Sequence, residues 1–265
     1  MVDGTILESG ALDGIKYSNS LYFEKQANWT AIHIEAGRDN YVRLTINRPD
    51  AINFNTALCN NVTKLHYASS PHNTEVEGIF EFMDNEFKQK WYPDHVKNAN
   101  LVDDFPLLSC IPIKYILSGF NLKHIDIWVL DVEGAEEEVL AGMDWNLVSI
   151  SVIMMECDGS DAEKDVRKNA TLAAAGFHCL QVYRNCMCKH KDFKPSSLIH
   201  EGQAISSPST RITIYTLKDG LLRAFPIFDK YQQFLRNGGK PSIQVDDTVF
   251  RLFKVGEDLP PCTDC

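Results

Sequence analysis

The first 58 residues alternate short apolar runs with helical segments, and this alternation restricts the fold more than any other feature of the chain. Strand-like runs occupy Thr5–Ser9, Ala31–Glu35 and Ala51–Leu58, and helical apolar spacing lies between them at Leu21–Ala27 and Asn40–Asn47. Strands and helices in this order build βαβ units, which require a parallel sheet. We therefore predict an α/β domain.

The same alternation returns in the second half of the chain. Apolar strands are predicted at Ile125–Leu130 and Ser149–Glu156, followed by an amphipathic helix over Asp161–Ala175. Phe177–Tyr183 and Arg211–Leu217 suit a last, antiparallel pair of strands at an edge of the sheet. The predicted sheet is therefore large and mostly parallel.

Two long stretches lack a regular pattern. Residues 68–110 are too long for an idle connection, and residues 185–210 mix cysteines, basic residues and prolines. Both are predicted to be lids or substrate-binding loops. We expect the main domain to span residues 1–220, and a C-terminal appendage with a helix around Pro226–Arg236 to span residues 221–265.

The charge and hydropathy of the chain argue against several classes of protein. A net charge of -10 disfavours a surface for nucleic acids or anionic membranes, because phosphate groups bind basic patches. No apolar run approaches the ~20 residues that a membrane-spanning helix needs. Met1–Gly4 begins no signal-peptide pattern. These features predict a cytoplasmic protein.

The chain contains eight cysteines, and four of them are predicted to be buried, inert thiols. Four stand singly in apolar segments, as buried thiols usually do: Cys59, Cys110, Cys157 and Cys179. The others form two close pairs, Cys186 with Cys188 and Cys262 with Cys265. The C-x-C spacing is not typical of zinc sites, and disulfides are rare in cytosolic proteins. We therefore expect neither zinc nor disulfides.

Acidic side chains stand where predicted strands end. Glu35 ends the second strand, Asp131 and Glu133 follow Ile125–Leu130, and Glu156 ends the next strand. Ligands of α/β sheets bind at the carboxyl ends of the strands. Burying this much negative charge is costly unless the charge serves a function. The sequence therefore predicts an active site at this edge of the sheet.

The loop after the first strand resembles a nucleotide-binding loop. Glu8–Gly14 contains Gly10 and Gly14 but lacks the full G-x-G-x-x-G spacing, which disfavours a dinucleotide cofactor. Glycines let a ligand approach the backbone closely. Glu35, about 20 residues further on, stands where an acid accepts hydrogen bonds from ribose hydroxyls.

Together these segments resemble the FkbM-type methyltransferases, over roughly residues 5–217. The segments that carry the resemblance are Glu8–Gly14, Ser18-Asn19, Phe23-Glu24, Trp29, Ile34-Glu35, Asn47-Arg48-Pro49, Leu130–Glu136 and Val139-Leu140. The resemblance implies an α/β class I (Rossmann-like) methyltransferase fold, with a mostly parallel seven-stranded sheet and helices on both faces. It also implies S-adenosylmethionine as the methyl donor.

The resemblance assigns a set of residues to the cofactor. They are Glu8, Gly10, Ala11, Asp13, Gly14, Ser18, Asn19, Glu35, Ala36, Cys59, Asn60 and Asp131. Two roles stay open: Ser18 and Asn19 either contact the cofactor or cap the following helix. Asp13 either faces the methionine amine or only shapes the turn.

Methyl transfer to an alcohol requires a general base, because the hydroxyl loses its proton as the new bond forms. Asp131 is the first candidate, with Glu133 and Glu156 behind it. Clustered carboxylates raise one another's pKa, which makes each a better base. The cluster could also hold a divalent cation such as Mg²⁺, although no residue is assigned as its ligand.

The resemblance suggests oxygen methylation, most often of a sugar hydroxyl in a glycan. Aromatic faces pack on sugar rings and polar groups bind hydroxyls. The predicted substrate residues are His72, Trp91, Tyr92, His95 and Glu136. Two alternatives remain: methylation of a secondary metabolite or lipid, and a non-catalytic module that binds S-adenosylmethionine.

Overall fold

The computed structural model describes residues 4–70, 72–120, 122–157, 159–182, 184–193, 204–206, 213–218, 221–225, 228–238, 242–244 and 254–255. The chain folds as two compact units. One is Asp3–Asp192, and the other joins Met1–Val2 to Phe193–Cys265.

The larger unit contains eleven strands and seven α-helices among its described residues. In chain order they are β1 (Thr5–Ser9), α1 (Leu21–Ala27), β2 (Thr30–Glu35), α2 (Arg38–Asn47), β3 (Ile52–Asn55), β4 (Ala57–Leu58), β5 (Thr63–Ala68), β6 (Gly78–Ile79), α3 (Asn85–Trp91), α4 (Pro93–Lys97), β7 (Leu107–Ile111), α5 (Ile113–Gly119), β8 (His124–Leu130), α6 (Glu136–Ala141), β9 (Ser149–Glu156), α7 (Ala162–Ala174), β10 (Phe177–Val182) and β11 (Asn185–His190). Short 3₁₀ turns lie at Thr74–Val76 and Ala99–Asp104.

A seven-stranded sheet in the order β10-β11-β9-β8-β1-β2-β3 forms the centre of this unit. The expected α/β alternation is confirmed, but the sheet is mixed because β11 runs antiparallel to both of its neighbours. Two predictions are corrected here. Residues 185–190 form this inner strand instead of a lid, and Tyr215–Lys218 belongs to the smaller unit instead of pairing with β10.

The strand order creates a binding edge. From β1 the chain proceeds outward to β2 and β3, whereas β8 and β9 lie on the other side of β1. Right-handed crossovers therefore place the connecting helices on opposite faces. The carboxyl ends of β1, β2, β8 and β9 lie at one edge because these strands are parallel. Such a reversal of strand order is where open α/β sheets bind ligands.

Buried apolar side chains hold this sheet in place. Leu7, Ile125, Trp128, Leu130 and Ile153 are fully buried in one core cluster. Trp128 also donates its indole N–H to Ser9 Oγ at 3.0 Å and is a core residue. The core fixes the strand ends that form the edge described above.

Residues 57–111, here called the insertion, build a second sheet in the order β4-β7-β5-β6. The predicted strand Ala51–Leu58 is interrupted at Thr56, whose N–H donates to the Glu35 carbonyl, and β4 then leaves the main sheet. The region predicted to be irregular has its own core, which contains Met83, Tyr92 and Phe105.

The smaller unit contains β12 (Ala204–Ser206), β13 (Tyr215–Lys218), β14 (Leu221–Ala224), α8 (Phe228–Arg236), β15 (Ile243–Gln244) and β16 (Lys254–Val255). Its strands follow the order β15-β12-β13-β14-β16. The helix predicted around Pro226–Arg236 is confirmed as α8. The buried core of the smaller unit contains Ala204, Phe225 and Tyr231.

The expectation of free thiols is wrong, because all six described cysteines form disulfides. The pairs are Cys59–Cys110, Cys157–Cys186 and Cys179–Cys188. Strand pairing brings the partners together: Cys179 lies directly opposite Cys188, and Ala57 lies opposite Cys110. Cys262 and Cys265 lie outside the described residues. Because disulfides persist in oxidising compartments, they weigh against the predicted cytoplasmic location.

No helix in the described part of the chain is long and apolar enough to cross a membrane.

Candidate active site

Two adjoining cavities open at the carboxyl edge of the main sheet. The larger, called the main cleft, has a volume of about 580 Å³ and is lined by residues that include Glu8, Asp131 and Glu156. The smaller, called the side pocket, has about 80 Å³ and lies between Glu35 and the insertion. Gly10 and Asp131 line both. The volume of the main cleft is typical of small-molecule sites.

Gly10 lets the first loop pass directly against the loop that follows β8. Its φ is +84°, and a Cβ atom there would lie 1.7 Å from the Asp131 carbonyl oxygen. Any other residue would push these two loops apart. Gly10 and Ala11, which the resemblance assigns to the cofactor, both line the main cleft.

Gly14 has a different role from Gly10, because it lines neither cavity among the described residues. Its φ is +76°, and a Cβ atom would lie 2.6 Å from Leu44 and 2.7 Å from Arg48. The carbonyl of Gly14 accepts a hydrogen bond from Arg48 Nη1 at 2.8 Å. Gly14 therefore anchors the loop to the protein interior.

The buried carboxylate of Glu8 organises the segment after the glycine loop. It accepts hydrogen bonds from Ser20 Oγ at 2.6 Å, Ser18 Oγ at 2.9 Å and the Asn19 N–H at 2.7 Å. The helix-cap alternative is not what the geometry shows, since the N-cap of α1 is Ser20 and its side chain makes no capping bond. Ser18 and Asn19 line the main cleft.

Arg48 is fully buried and holds the segment of Ser18 and Ser20 in place. Its guanidinium donates to Glu24 at 2.7 Å, and to Ser18 Oγ and Ser20 Oγ at 3.1 Å each. Sequence reasoning assigned it no site role, although it lies in the Asn47-Arg48-Pro49 segment of the resemblance. An arginine just before a proline at the end of a helix gave no further signal.

His33 completes the network under the loop. Both ring nitrogens are hydrogen-bonded, one to Ser20 Oγ at 2.8 Å and the other to Asn53 Oδ1 at 2.7 Å. The residue is fully buried and faces neither cavity. It is a structural histidine.

Asp13 shapes the turn. Its Oδ1 accepts the backbone N–H groups of Ile15 at 2.9 Å and Lys16 at 2.8 Å, and the residue lines neither of the two cavities. The sequence left open whether Asp13 faces the methionine amine or only shapes the turn, and the observed hydrogen bonds are those of a turn residue.

Glu35 presents its carboxylate to the side pocket and is only 4% exposed. Its two oxygens accept the N–H groups of Gly37 at 2.7 Å and Leu12 at 2.9 Å. Burial raises the pKa of Glu35 to about 8, although these two hydrogen bonds oppose the shift. Ala36 also lines the side pocket. The acid predicted to bind ribose is therefore fixed in orientation by the backbone.

Cys59 and Asn60 do not reach either cavity. Cys59 is disulfide-bonded and buried, and the exposed Asn60 side chain donates to Glu138. The break at Thr56 directs the chain into the insertion earlier than expected, so Thr56, Ala57 and Leu58 line the side pocket instead.

Asp131 projects into the main cleft, where water reaches it although protein surrounds it on most sides. Burial raises its pKa to about 6, and the carboxylates of Glu136 and Glu8 add to the shift. A carboxyl group with this pKa is mostly ionised at neutral pH and is a stronger base than an ordinary aspartate.

Glu133 has an unusual backbone conformation, with φ at 53° in a non-glycine residue. Burial raises the pKa of its side chain to about 9, with further contributions from Asp131 and Glu156. Glu136 is buried, and its Oε1 accepts the Val132 N–H at 3.0 Å. Glu136 therefore fixes the loop that presents the two other acids.

Basic residues also line the main cleft, and sequence reasoning missed them. Arg184 donates to Glu156 at 2.9 Å, and Lys168 donates to the carbonyl of Glu156 at 2.8 Å. Lys164 donates to the carbonyls of Phe82 and Gly134. These side chains come from α7 and the β10–β11 turn, so no sequence spacing links them to the acidic loop.

The predicted substrate residues separate into two groups. Trp91 and Glu136 line the main cleft, whereas Tyr92 is buried and donates its hydroxyl to the carbonyls of Val76 at 2.7 Å and Ala68 at 3.0 Å. The His95 ring stacks on Phe105 at 4.2 Å inside the insertion. His72 is exposed and lies outside both cavities.

Among the residues that the structure describes, no group of three or more His, Cys, Asp or Glu side chains is arranged to hold a metal ion.

The raised carboxyl pKa values predict how stability depends on pH. Glu35 and Glu133 titrate in the folded protein at about 8 and about 9, above the ordinary value of 4.5. The folded state keeps protons that the unfolded state has released, so stability should fall as pH rises through 8 and 9. The melting temperature without ligand should therefore be lower at pH 9 than at pH 6.5.

The variant Glu133→Gln should flatten this dependence, because its amide does not ionise. A melting temperature that stays constant or rises over the same range would contradict the assignment of raised pKa values.

Part of the chain matches a known protein family. A family model described as the Methyltransferase FkbM domain matches residues 8–179. No curated protein matches the chain. Among solved structures, methyltransferase FkbM from Methylobacillus flagellatus KT is similar, with 13% identity and a TM-score of 0.43 over 71% of this chain and 44% of the other. The present chain therefore covers less than half of that protein.

Two further solved structures are similar at lower scores. Ribosomal protein L11 methylase from Lactobacillus delbrueckii subsp. bulgaricus has 10% identity and a TM-score of 0.33, over 72% of each chain. Precorrin-6y C5,15-methyltransferase from Geobacter metallireducens GS-15 has 10% identity and a TM-score of 0.34, over 70% of this chain and 78% of the other. The family model alone spans more than half of the sequence, and on that match the chain belongs to the FkbM methyltransferase family.

Proposed function

We propose that this protein is an S-adenosylmethionine-dependent O-methyltransferase that methylates a sugar hydroxyl of a glycan. One observation carries the proposal: Glu35 in the side pocket and Asp131 in the main cleft lie on either side of Gly10, at the edge where the strand order reverses. An acid for the ribose and an acid for the reacting end are thus joined through one glycine loop.

The residues present fit S-adenosylmethionine. Glu35 can accept hydrogen bonds from ribose hydroxyls. Leu58 and Ile79 also line the side pocket, and their apolar side chains can pack against a purine ring. Acidic side chains outnumber basic ones along the main cleft, which favours a ligand with a sulfonium and an amine. When bound, the cofactor supplies an electrophilic methyl group.

Asp131 acts as the general base in this proposal. Its carboxylate accepts the proton of the acceptor hydroxyl as that oxygen attacks, and its pKa of about 6 places the group close to the pH of the cell. The loop held by Glu136 and the close contact at Gly10 fix its position. Positioning is the larger contribution, because in-line displacement depends on alignment.

The glycan acceptor is supported by the aromatic side chains at the mouth of the main cleft. Trp91 is 38% exposed and Tyr17 is 71% exposed, and both line the cleft. Exposed aromatic faces can pack on the C–H surface of a sugar ring. Asn73 and Glu86, also on the lining, offer partners for hydroxyl groups.

The acceptor class is tested by incubating the protein with methyl-labelled S-adenosylmethionine and three panels: oligosaccharides, lipids and small phenolic metabolites. We expect label as an O-methyl group on a sugar, and a higher KM for that sugar in Trp91→Ala. Transfer to a lipid or metabolite while every sugar stays unlabelled would overturn the glycan assignment and keep the methyltransferase.

At pH 9, where the Glu35 carboxyl is ionised, the Glu35→Gln variant should bind S-adenosylhomocysteine at least about tenfold more weakly than the wild type, the cost of one charge-assisted hydrogen bond. The carboxylate accepts hydrogen bonds from the N–H groups of Leu12 and Gly37, and in this proposal from the ribose. In the variant, an N–H₂ donor would replace one of the two accepting oxygens. Calorimetric titration measures the change. Glu138→Gln, on the far side of α6 and outside both cavities, is the matched control. Equal affinities in the two variants would remove Glu35 from the cofactor site.

A further inference from the structure

The six described cysteines indicate an oxidising compartment, and proteins in such compartments can also be glycosylated. All of them are paired in disulfides, which form and persist in oxidising compartments and are rare in the cytosol. In secretory compartments, asparagine in the motif Asn-x-Ser/Thr accepts N-linked glycans when x is not proline. The relevant question is which asparagines of this chain stand in that motif on the surface.

Three motifs of this kind occur in the sequence: Asn28-Trp29-Thr30, Asn61-Val62-Thr63 and Asn169-Ala170-Thr171. The structure places them in very different surroundings.

The Asn61 motif lies in the bend between β4 and β5 and is the most accessible of the three. Asn61 and Thr63 are exposed, and Val62 is 69% exposed. The Asn61 amide donates only to the exposed Asn60 beside it, at 2.8 Å, among the contacts seen for the described residues. The Cys59–Cys110 disulfide anchors this bend two residues earlier. A glycan here would extend into solvent.

The other two motifs are less favourable. Asn169 lies within α7, and its Oδ1 is buried without a hydrogen-bond partner among the described residues. Asn28 ends α1 in a left-handed conformation, and the adjacent Trp29 is 3% exposed and packed on Phe23. A folded chain could display a glycan on Asn61 without disturbing any helix or core contact.

We propose that Asn61 is an N-glycosylation site and that this protein matures in an oxidising secretory compartment. The glycan donor is a lipid-linked oligosaccharide diphosphate. The Asn61 amide nitrogen forms a bond to the anomeric carbon, the bond from that carbon to the diphosphate oxygen breaks, and the lipid diphosphate leaves as the amide loses one proton. The inference does not rest on the proposed methyltransferase activity, and Asn61 lines neither the main cleft nor the side pocket.

The test uses the native protein isolated from its own cells in the presence of a thiol-alkylating reagent. Peptide-N-glycosidase in ¹⁸O-water converts each glycosylated asparagine into labelled aspartate, which mass spectrometry locates. We expect labelled aspartate at position 61, unmodified Asn169, and Cys59 joined to Cys110 without alkylation. Unmodified Asn61, or alkylated Cys59 and Cys110, would overturn the proposal.

Variants expressed in the same cells separate a modification from a folding effect. Asn61→Gln should lose the electrophoretic shift that the glycosidase removes in the wild type, and Thr63→Ala should lose it too, because the motif is broken while Asn61 remains. Asn169→Gln is the matched control and should retain the shift. If Asn61→Gln retains the shift, or Asn169→Gln loses it, the proposed site is wrong.

Discussion

Replacing Asp131 by asparagine should lower kcat by about 10²–10⁴-fold, the usual contribution of a general base. The amide keeps the size of the side chain but cannot accept the proton of the acceptor hydroxyl. Binding of S-adenosylhomocysteine should remain close to the wild-type value, because Gly10 contacts the backbone of Asp131 and not its carboxylate. Single-turnover kinetics and calorimetric titration measure the two quantities separately.

Glu133→Gln is the comparison for this variant, since both changes replace an acid by its amide on one loop. The pKa of Glu133 is raised to about 9, so this group carries a proton at neutral pH and its amide resembles the native state. We expect a much smaller loss of turnover. If Glu133→Gln is the more severe change, the base is misassigned. If Asp131→Asn loses turnover only because it no longer binds the cofactor product, Asp131 is a binding residue.

Replacing Arg48 by methionine should lower the free energy of unfolding by about 3–5 kcal/mol, the usual cost of breaking a buried ion pair. Arg48 is fully buried and holds Glu24, the Gly14 carbonyl and the hydroxyls of Ser18 and Ser20. Methionine fills much of the volume but leaves the Glu24 carboxylate without its main partner. Denaturant unfolding followed by circular dichroism measures the loss.

Arg167→Met supplies the matched control, because Arg167 also pairs with a glutamate, Glu137, but is half exposed. Exposed pairs contribute little to stability, so this change should be far milder. Adding Glu24→Gln to Arg48→Met should recover part of the loss, since the uncompensated charge is then removed. Equal losses for Arg48→Met and Arg167→Met would refute the structural role given to Arg48.

The sequence predicted best those elements whose pattern is local. Strand β1 and helix α1 were predicted with the bounds that they have, and α7 begins after Asp161, which caps it by accepting the Lys164 N–H. Apolar periodicity and capping residues decide such elements within a few positions. The acidic edge was predictable for the same reason, because strand-end acids follow the apolar runs directly.

Features that depend on distant pairing were predicted poorly. Strand β11 begins and ends with polar residues, yet it lies between β9 and β10 and carries Cys186 and Cys188 to their partners. The Cys59–Cys110 bridge joins residues separated by 51 positions. Local propensity carries no information on which strands become neighbours, so the disulfides could not be foreseen.

The basic residues of the main cleft could not be predicted either. Lys168 and Arg184 reach the cleft only because α7 and the β10–β11 turn bring their side chains to Glu156, the last residue of β9. Tyr92 and His95 were expected at the cleft because aromatic and histidine side chains in a long loop suit a substrate. The insertion instead has its own core, and it buries Tyr92 and packs His95 against Phe105.

The central claim is that the side pocket and main cleft together hold S-adenosylmethionine, with Asp131 at the reacting end. A crystal structure of the protein with S-adenosylhomocysteine tests it most directly. We expect both ribose hydroxyls within about 2.7–3.2 Å of the Glu35 carboxylate, and the sulfur in the main cleft on the Asp131 side. A ligand bound elsewhere, or one whose ribose does not contact Glu35, would contradict the claim.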